Sequence, residues 1–178
     1  SATANIRKAI AGQGATATVD LGWDRETGRR VALKRFRKHD GSHRALRRFL
    51  REAHTVASVQ HPNVPPVLDF FVDEAGDPYL ALPVYAGGTL QSRRGLARGE
   101  AASPMPVDSR AARPWVEALV DMASAAHAAH AAGILHRDIK PANIVFDASG
   151  SAILIDWGAA RWLDEVEGAA REFAASDL

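Results

Sequence analysis

A chain of 178 residues with 47% apolar and 24% charged side chains can bury a core as one domain or two small lobes, and its composition is globular rather than disordered. The absence of cysteine excludes a disulfide framework and a thiolate metal site, and it suits a reducing compartment such as the cytoplasm. A net charge of +1 argues against nucleic acid or another dedicated polyanion as partner, and no stretch approaches the ~20 apolar residues of a membrane span.

Ile6 to Ile10, Ala15 to Trp23 and Arg29 to Phe36 read as strands. Gly12-Gln13-Gly14 separates the first pair, and Asp24-Arg25-Glu26-Thr27-Gly28 carries the residues of a hairpin turn. Ser42 is the expected N-cap of a helix running to about Ser58. Its apolar set is Leu46, Phe49, Leu50, Ala53, Val56 and Ala57, with Arg47, Arg48 and Arg51 on the other side. His61-Pro62-Asn63 stops that helix. Strands follow at Val67 to Asp73 and Tyr79 to Leu82, joined by the turn from Glu74 to Pro78.

Gly87-Gly88 then punctuates the chain, and a looser segment runs from Gln91 to Arg110. Pro114 suits the first turn of a second long helix, with Trp115, Leu119, Met122 and Ala126 on one face and Gly133 just past its end. Short strands are expected at Ile134-Leu135, Ile144 to Phe146 and Ala152 to Ile155. Strands first and helices later is the order of a two-lobed α+β protein. The hinge falls near Pro83 to Gly88, which divides the chain into residues 1–86 and 87–178.

Charge is unevenly spread. Eleven lysines and arginines lie between Arg25 and Arg51, whereas Asp156 to Leu178 holds six acids against two arginines. A solvated basic helix face and an acidic tail account for this, and a basic region that pairs with phosphate or an acidic segment is the sharper reading. His127 and His130 are a helical turn apart in an alanine-rich stretch, and together with His136 they read as packing histidines rather than a metal cluster.

The run His136-Arg137-Asp138-Ile139-Lys140-Pro141-Ala142-Asn143 carries the chemistry, with Asp156-Trp157-Gly158 beginning thirteen residues after Asn143. It sets an acid, a lysine and an amide on one loop, and a second acid on the strand that follows. Phosphoryl transfer from ATP needs that set: Asp138 to accept a hydroxyl proton, Lys140 near the moving phosphate, Asn143 and Asp156 as hard oxygen ligands for magnesium. Upstream, Gly12-x-Gly14-x-x-Ala17-x-Val19 interrupts a hairpin, where glycines let backbone N–H groups approach phosphates. In Val31-Ala32-Leu33-Lys34, strand alternation turns Ala32 and Lys34 to the same side. Glu52 falls at the border of the apolar stripe, where it competes between Lys34 and a surface pair with Arg48.

In type, order and spacing these motifs resemble the eukaryotic-type (Hanks-type) serine/threonine protein kinases. The alanine-rich helix and the phrase Gly133-Ile134-Leu135-His136-Arg137-Asp138 resemble bacterial members. The resemblance implies a kinase-like two-lobed fold, with an antiparallel sheet plus one helix in the N-lobe and a partial helical C-lobe. It implies ATP and Mg2+ as ligands and a protein serine or threonine hydroxyl as acceptor. It makes Gly12, Gln13, Gly14, Ala15, Ala17 and Val19 the flap over the nucleotide, with Ala17 where a third glycine is expected. Ala32 would leave room for adenine, and Lys34, paired with Glu52, would hold the α- and β-phosphates. Leu82 aligns with the gatekeeper, the Pro83 carbonyl and Tyr85 N–H with the hinge, and Val145 with the floor beneath adenine.

By the same resemblance His136 is structural and Arg137 answers to a phosphorylated activation segment, where Ser176 is the one hydroxyl between Trp157 and Leu178. Trp157 stands where phenylalanine is common. The likeness runs from Ile6 to about Arg161, and no Ala-Pro-Glu sequence appears before Leu178, so a fragment of a longer kinase is expected. Two other functions share parts of the pattern: a pseudokinase-like nucleotide-binding scaffold, favoured by Ala17, and a small-molecule phosphotransferase, opposed by Lys140.

Overall fold

The computed structural model describes residues 6–9, 17–36, 43–93 and 109–165. Gly12, Gln13, Gly14, Ala15, Ser42 and Ser176 lie outside the described residues. The chain divides into two compact units, one of residues 1–57 and 65–84 and the other of residues 58–64 and 85–178.

Among the described residues, the first unit is a five-stranded antiparallel sheet with one helix. Its strands are β1 (Ile6–Ala9), β2 (Ala17–Asp24), β3 (Arg30–Phe36), β4 (Asp69–Val72) and β5 (Pro78–Pro83), in the order β1-β2-β3-β5-β4. Gly28, at φ +66°, makes the β2–β3 hairpin, and Asp24 ties the turn by accepting from the Glu26 N–H at 2.9 Å and the Thr27 hydroxyl at 2.5 Å. The period of two sorts the sheet into faces. Val31, Leu33, Tyr79 and Ala81 form one buried cluster, with Phe71 stacked on Tyr79 at 5.3 Å across the β4–β5 pair. The opposite face carries Ala32, Lys34, Leu80 and Leu82, in register with one another across β3 and β5.

Helix α1 (His43–Ser58) covers that second face, where Phe49 buries Leu80 with Ala53, Val67 and Leu82 around them. Its inward stripe differs from the expected one. Phe49 and Val56 are buried, but Leu50 is 50% exposed and Ala57 is exposed, while Glu52 and Thr55 turn inward. Glu52 on this face meets Lys34 of β3.

In the second unit, α2 is a single turn (Leu90–Arg93) and α3 (Ser109–Ala131) is the long helix. Two short ribbons complete it: β6 (Ile134–Leu135) with β9 (Arg161–Trp162), and β7 (Ile144–Phe146) with β8 (Ala152–Leu154). Two expectations for α3 need correction. The helix begins at Ser109, so Pro114 lies inside it and forgoes one early backbone bond, while Arg113 and Glu117 pair at 2.7 Å across one turn. The buried face is Ala118, Met122, Ala125 and Ala129 rather than one through Leu119, which is 63% exposed beside exposed Val116 and Val120. Alanines face inward because β6 and β8 pack close against the helix. His127 and His130 are exposed, not packed.

The segment His61-Pro62-Asn63 does more than end α1. Asn63 is buried, donates from Nδ2 to the Ala152 carbonyl at 2.7 Å and accepts the Leu154 N–H on its own carbonyl at 2.8 Å. It thereby extends the β7–β8 ribbon from the side.

Candidate active site

In the first unit the expected nucleotide-facing residues fall on one face of the sheet. Val19 pairs with Lys34, and Ala32 pairs with Leu82, so all four side chains share the face that α1 covers in part. Ala17 opens β2 opposite Phe36, and Pro83 closes β5. Lys34 Nζ and Glu52 Oε1 meet at 2.5 Å, with the two side chains 13% and 6% exposed. A pair this buried is desolvated, so removing either partner strands the other charge. Of the two partners weighed for Glu52, the structure brings it to Lys34.

The catalytic run of the second unit is assembled from the bottom up. Gly133, at φ +74°, ends α3 with its N–H on the His130 carbonyl at 2.9 Å, and β6 carries the chain into the loop. His136 is then 2% exposed and fixed on three sides. Its Nδ1 accepts the Asp138 N–H at 3.2 Å, which leaves the proton on Nε2 to donate to the Ile155 carbonyl at 3.1 Å. Its ring meets Trp157 edge-on at 4.7 Å. Burial pushes the imidazole below its usual value, against the opposing pull of the Ile155 bond, so it stays neutral. His136 therefore holds the loop and does not shuttle protons.

Arg137 sits at φ +68°, an uncommon backbone state for a residue with a Cβ, and so does Asp156 at φ +62°. Both lie at the expected chemistry, where such strain is held by surrounding bonds. Pro141–Asn143 form one 3-10 turn, closed by the Asn143 N–H on the Lys140 carbonyl at 2.9 Å. That turn aims two donors at one carboxylate: Lys140 Nζ reaches Asp138 Oδ2 at 2.7 Å, and Asn143 Nδ2 reaches the same oxygen at 2.9 Å. The Lys140 bond, assisted by Asn143, holds the Asp138 carboxyl below the usual carboxylate range.

Asn143 also donates Nδ2 to the Asp138 carbonyl at 2.9 Å, so both amide hydrogens point at Asp138 and its Oδ1 is the atom left for a cation. The Asn143 carbonyl accepts the Ile155 N–H at 2.9 Å, which brings Asp156 in beside the loop. Trp157 is buried and donates Nε1 to the Leu154 carbonyl at 3.0 Å. An amide oxygen and a carboxylate are hard donors, and no group of three or more histidine or acidic residues gathers among the described residues. Hard oxygen donors of this kind are the ones magnesium takes.

Two further expected residues belong to this unit. Val145 lies buried in β7, opposite Ile153 and bridged to Thr89. Tyr85 is half-buried, and burial together with the charge of Asp147 pushes its phenol up to about 12.

A model of the protein kinase domain matches residues 6–176. The chain belongs to the protein kinase family. Several bacterial kinases are among its relatives. The serine/threonine-protein kinase PknD of Chlamydia trachomatis serovar D is 33% identical over 153 residues, covering 85% of this chain and 16% of PknD. PknD of Chlamydia pneumoniae is 34% identical over 154 residues. The DNA damage-responsive serine/threonine-protein kinase RqkA of Deinococcus radiodurans is 38% identical over 152 residues, covering 84% of this chain and 21% of RqkA. The chain thus spans about a fifth or less of the length of these relatives. The family and its serine/threonine, bacterial character agree with the likeness drawn from the motifs, and the mixed α+β fold agrees with the expected class.

Sequence reasoning passed over several kinase-unit residues. The helix stop His61-Pro62-Asn63 gives no sign that Asn63 is buried against β8. Thr89 and Ser92 cap each other, with Ser92 N–H on Thr89 Oγ1 at 2.9 Å and Thr89 N–H on Ser92 Oγ at 3.0 Å. The Thr-x-x-Ser spacing after Gly87-Gly88 was the available signal for α2.

Proposed function

We propose that this chain is the ATP-binding part of a serine/threonine protein kinase that moves the γ-phosphate of Mg-ATP to a protein hydroxyl. One observation carries the reading: Asp138 Oδ2 held by both Lys140 and Asn143 on one turn. In the reaction the acceptor oxygen forms a bond to the γ-phosphorus, the bond to the β,γ-bridging oxygen breaks, and ADP leaves. The hydroxyl proton passes to Asp138. Because its carboxyl is held low, Asp138 is a weak base that orients the hydroxyl and takes its proton late, which suits a loose phosphoryl transition state. Lys140 is exposed, and with substrate bound it would exchange Asp138 for the phosphoryl oxygens.

Lys34, held by Glu52, would bind the α- and β-phosphates, with the flap of Gly12, Gln13, Gly14, Ala15 and Ala17 above them. Val19, Ala32, Leu82, the Pro83 carbonyl, the Tyr85 N–H and Val145 would contact adenine. Asn143 and Asp156 would hold magnesium, which supplies charge neutralisation across the phosphates when bound. Residues 1–86 and 87–178 would act as the N-lobe and the partial C-lobe. No helix among the described residues is long and apolar enough to cross a membrane; a reaction that consumes ATP would run where ATP is kept, in the cytoplasm.

The test is phosphate transfer from labelled ATP to a generic serine/threonine substrate, with Mg-ATP affinity measured alongside. Asp138→Ala should lower transfer by about 10²–10⁴-fold while Mg-ATP still binds. Binding without transfer in the wild-type chain would favour the scaffold reading. Transfer to an amino-sugar but not to protein would favour the small-molecule phosphotransferase.

A further inference from the structure

Outside the residues already assigned, one side chain ties together the two segments of the second unit that carry its expected adenine contacts, the Tyr85–Thr89 segment and β7. Arg93, the last residue of α2, donates Nε to the Gly87 carbonyl at 2.8 Å and lays its guanidinium 3.8 Å from the centre of the Phe146 ring. Gly87 and Phe146 are themselves paired: the Gly87 N–H bonds the Phe146 carbonyl at 3.0 Å, and the Phe146 N–H bonds the Gly88 carbonyl at 3.1 Å. The approach is so close that a Cβ on Gly87 would stand 2.5 Å from the Phe146 carbonyl oxygen. Glycine is therefore required there by contact rather than by its backbone angle.

Thr89 continues the pairing to Val145, and Tyr85 lies two residues before Gly87. The result is a clamp. Arg93 bonds the Tyr85–Thr89 segment at Gly87 and stacks on Phe146 of β7, the residue next to Val145.

We propose that Arg93 is a positioning residue for the adenine end of the nucleotide. It acts through Gly87 and Phe146 to set Tyr85 N–H and Val145 in mutual register. The inference rests on the kinase reading above and names a residue outside the motifs that support it.

The experiment measures affinities of the chain for Mg-ATP, ADP and adenosine, with KM and kcat for transfer and thermal unfolding in parallel. A cation–π contact and one hydrogen bond together predict that Arg93→Ala weakens all three ligands by about tenfold, with KM for ATP rising in step and kcat within about twofold. Equal loss for adenosine and ATP is the signature of the base end; a purely phosphate effect would spare adenosine. Arg93→Lys keeps a cation near the ring and should recover part of the affinity. Phe146→Leu removes the ring face but leaves the Nε bond, and should cost less than Arg93→Ala. Wild-type affinity in Arg93→Ala, or a fall in kcat at unchanged KM, overturns the role of Arg93 while leaving the kinase reading intact. A wild-type chain that binds none of the three ligands removes the kinase reading and this inference with it.

Discussion

Asp138 and Asp147 are two aspartates on neighbouring loops of one unit, both with carboxyls held below their usual range, yet they are held in different ways. Asp147 leads the turn into β8. It accepts the Ser149 hydroxyl at 2.6 Å, the Ser149 N–H at 2.9 Å and the Ser151 N–H at 2.9 Å, all on Oδ1. Its partners are mostly backbone and hydroxyl groups of its own turn, and none can leave without opening the turn. Asp138 is held by the tips of two side chains, Lys140 and Asn143, whose positions the 3-10 turn sets but whose bonds can be redirected. A carboxylate saturated by backbone shapes a loop; one steadied by exchangeable side chains can give them up to a phosphate or a cation. A low carboxyl pKa alone does not distinguish the two, and the identity of the donors does.

The comparison breaks most sharply at Lys140. Lys140→Ala should lower kcat by about 10²–10³-fold, because it removes preorganised charge from the site of phosphoryl transfer. It also removes the first cause of the depressed Asp138 carboxyl. The acid limb of the rate profile, which depends on ionised Asp138, should therefore move to higher pH in the variant. A variant with a near-wild-type rate and an unmoved acid limb would make Lys140 as incidental as a surface pair. Asp147→Ala should act on stability instead. Losing its turn bonds should cost about 1 kcal/mol and lower the melting temperature by about 2–4 °C, with kcat unchanged. A large loss of kcat there would erase the distinction between the two aspartates.

What could be read from the residues follows the same division between local and distant. The Asp138–Asn143 loop is six residues long and its bonds close within it, so type and spacing were enough to name it. The Lys34–Glu52 pair was named across eighteen positions because alternation on β3 and the helical wheel each restrict one partner. Arg93 was not legible: its meaning depends on pairing Thr89 with Val145, a register that no local pattern displays. The face of α3 was misjudged because alanine carries little apolar weight in a periodicity, although close helix–ribbon packing selects it. Pro114 misled for a related reason: proline marks a preferred helix start, but α3 already begins five residues earlier, at Ser109.

The smallest effect concerns the residue that carries the backbone of the Asp138 loop. His136 is neutral in the fold, accepting on Nδ1 from Asp138 N–H and donating from Nε2 to Ile155. Its pKa is depressed from 6.5 in the folded chain, chiefly by burial. Above pH 6.5 both folded and unfolded chains hold a neutral ring, and the contribution to stability is fully present. As pH falls from that value through the lower folded pKa, the unfolded chain takes up the proton first, and stability declines across that window. His136→Gln keeps a side-chain oxygen and amide but does not titrate there. Its melting temperature should be lower than wild type at pH 7.5 and should fall less on going to pH 5.5. Parallel curves for the two proteins would mean that His136 is not the group whose protonation loosens the loop. A convergence would tie the geometry of Asp138 to a neutral imidazole beneath it, which Asp147, anchored by its own turn, does not require.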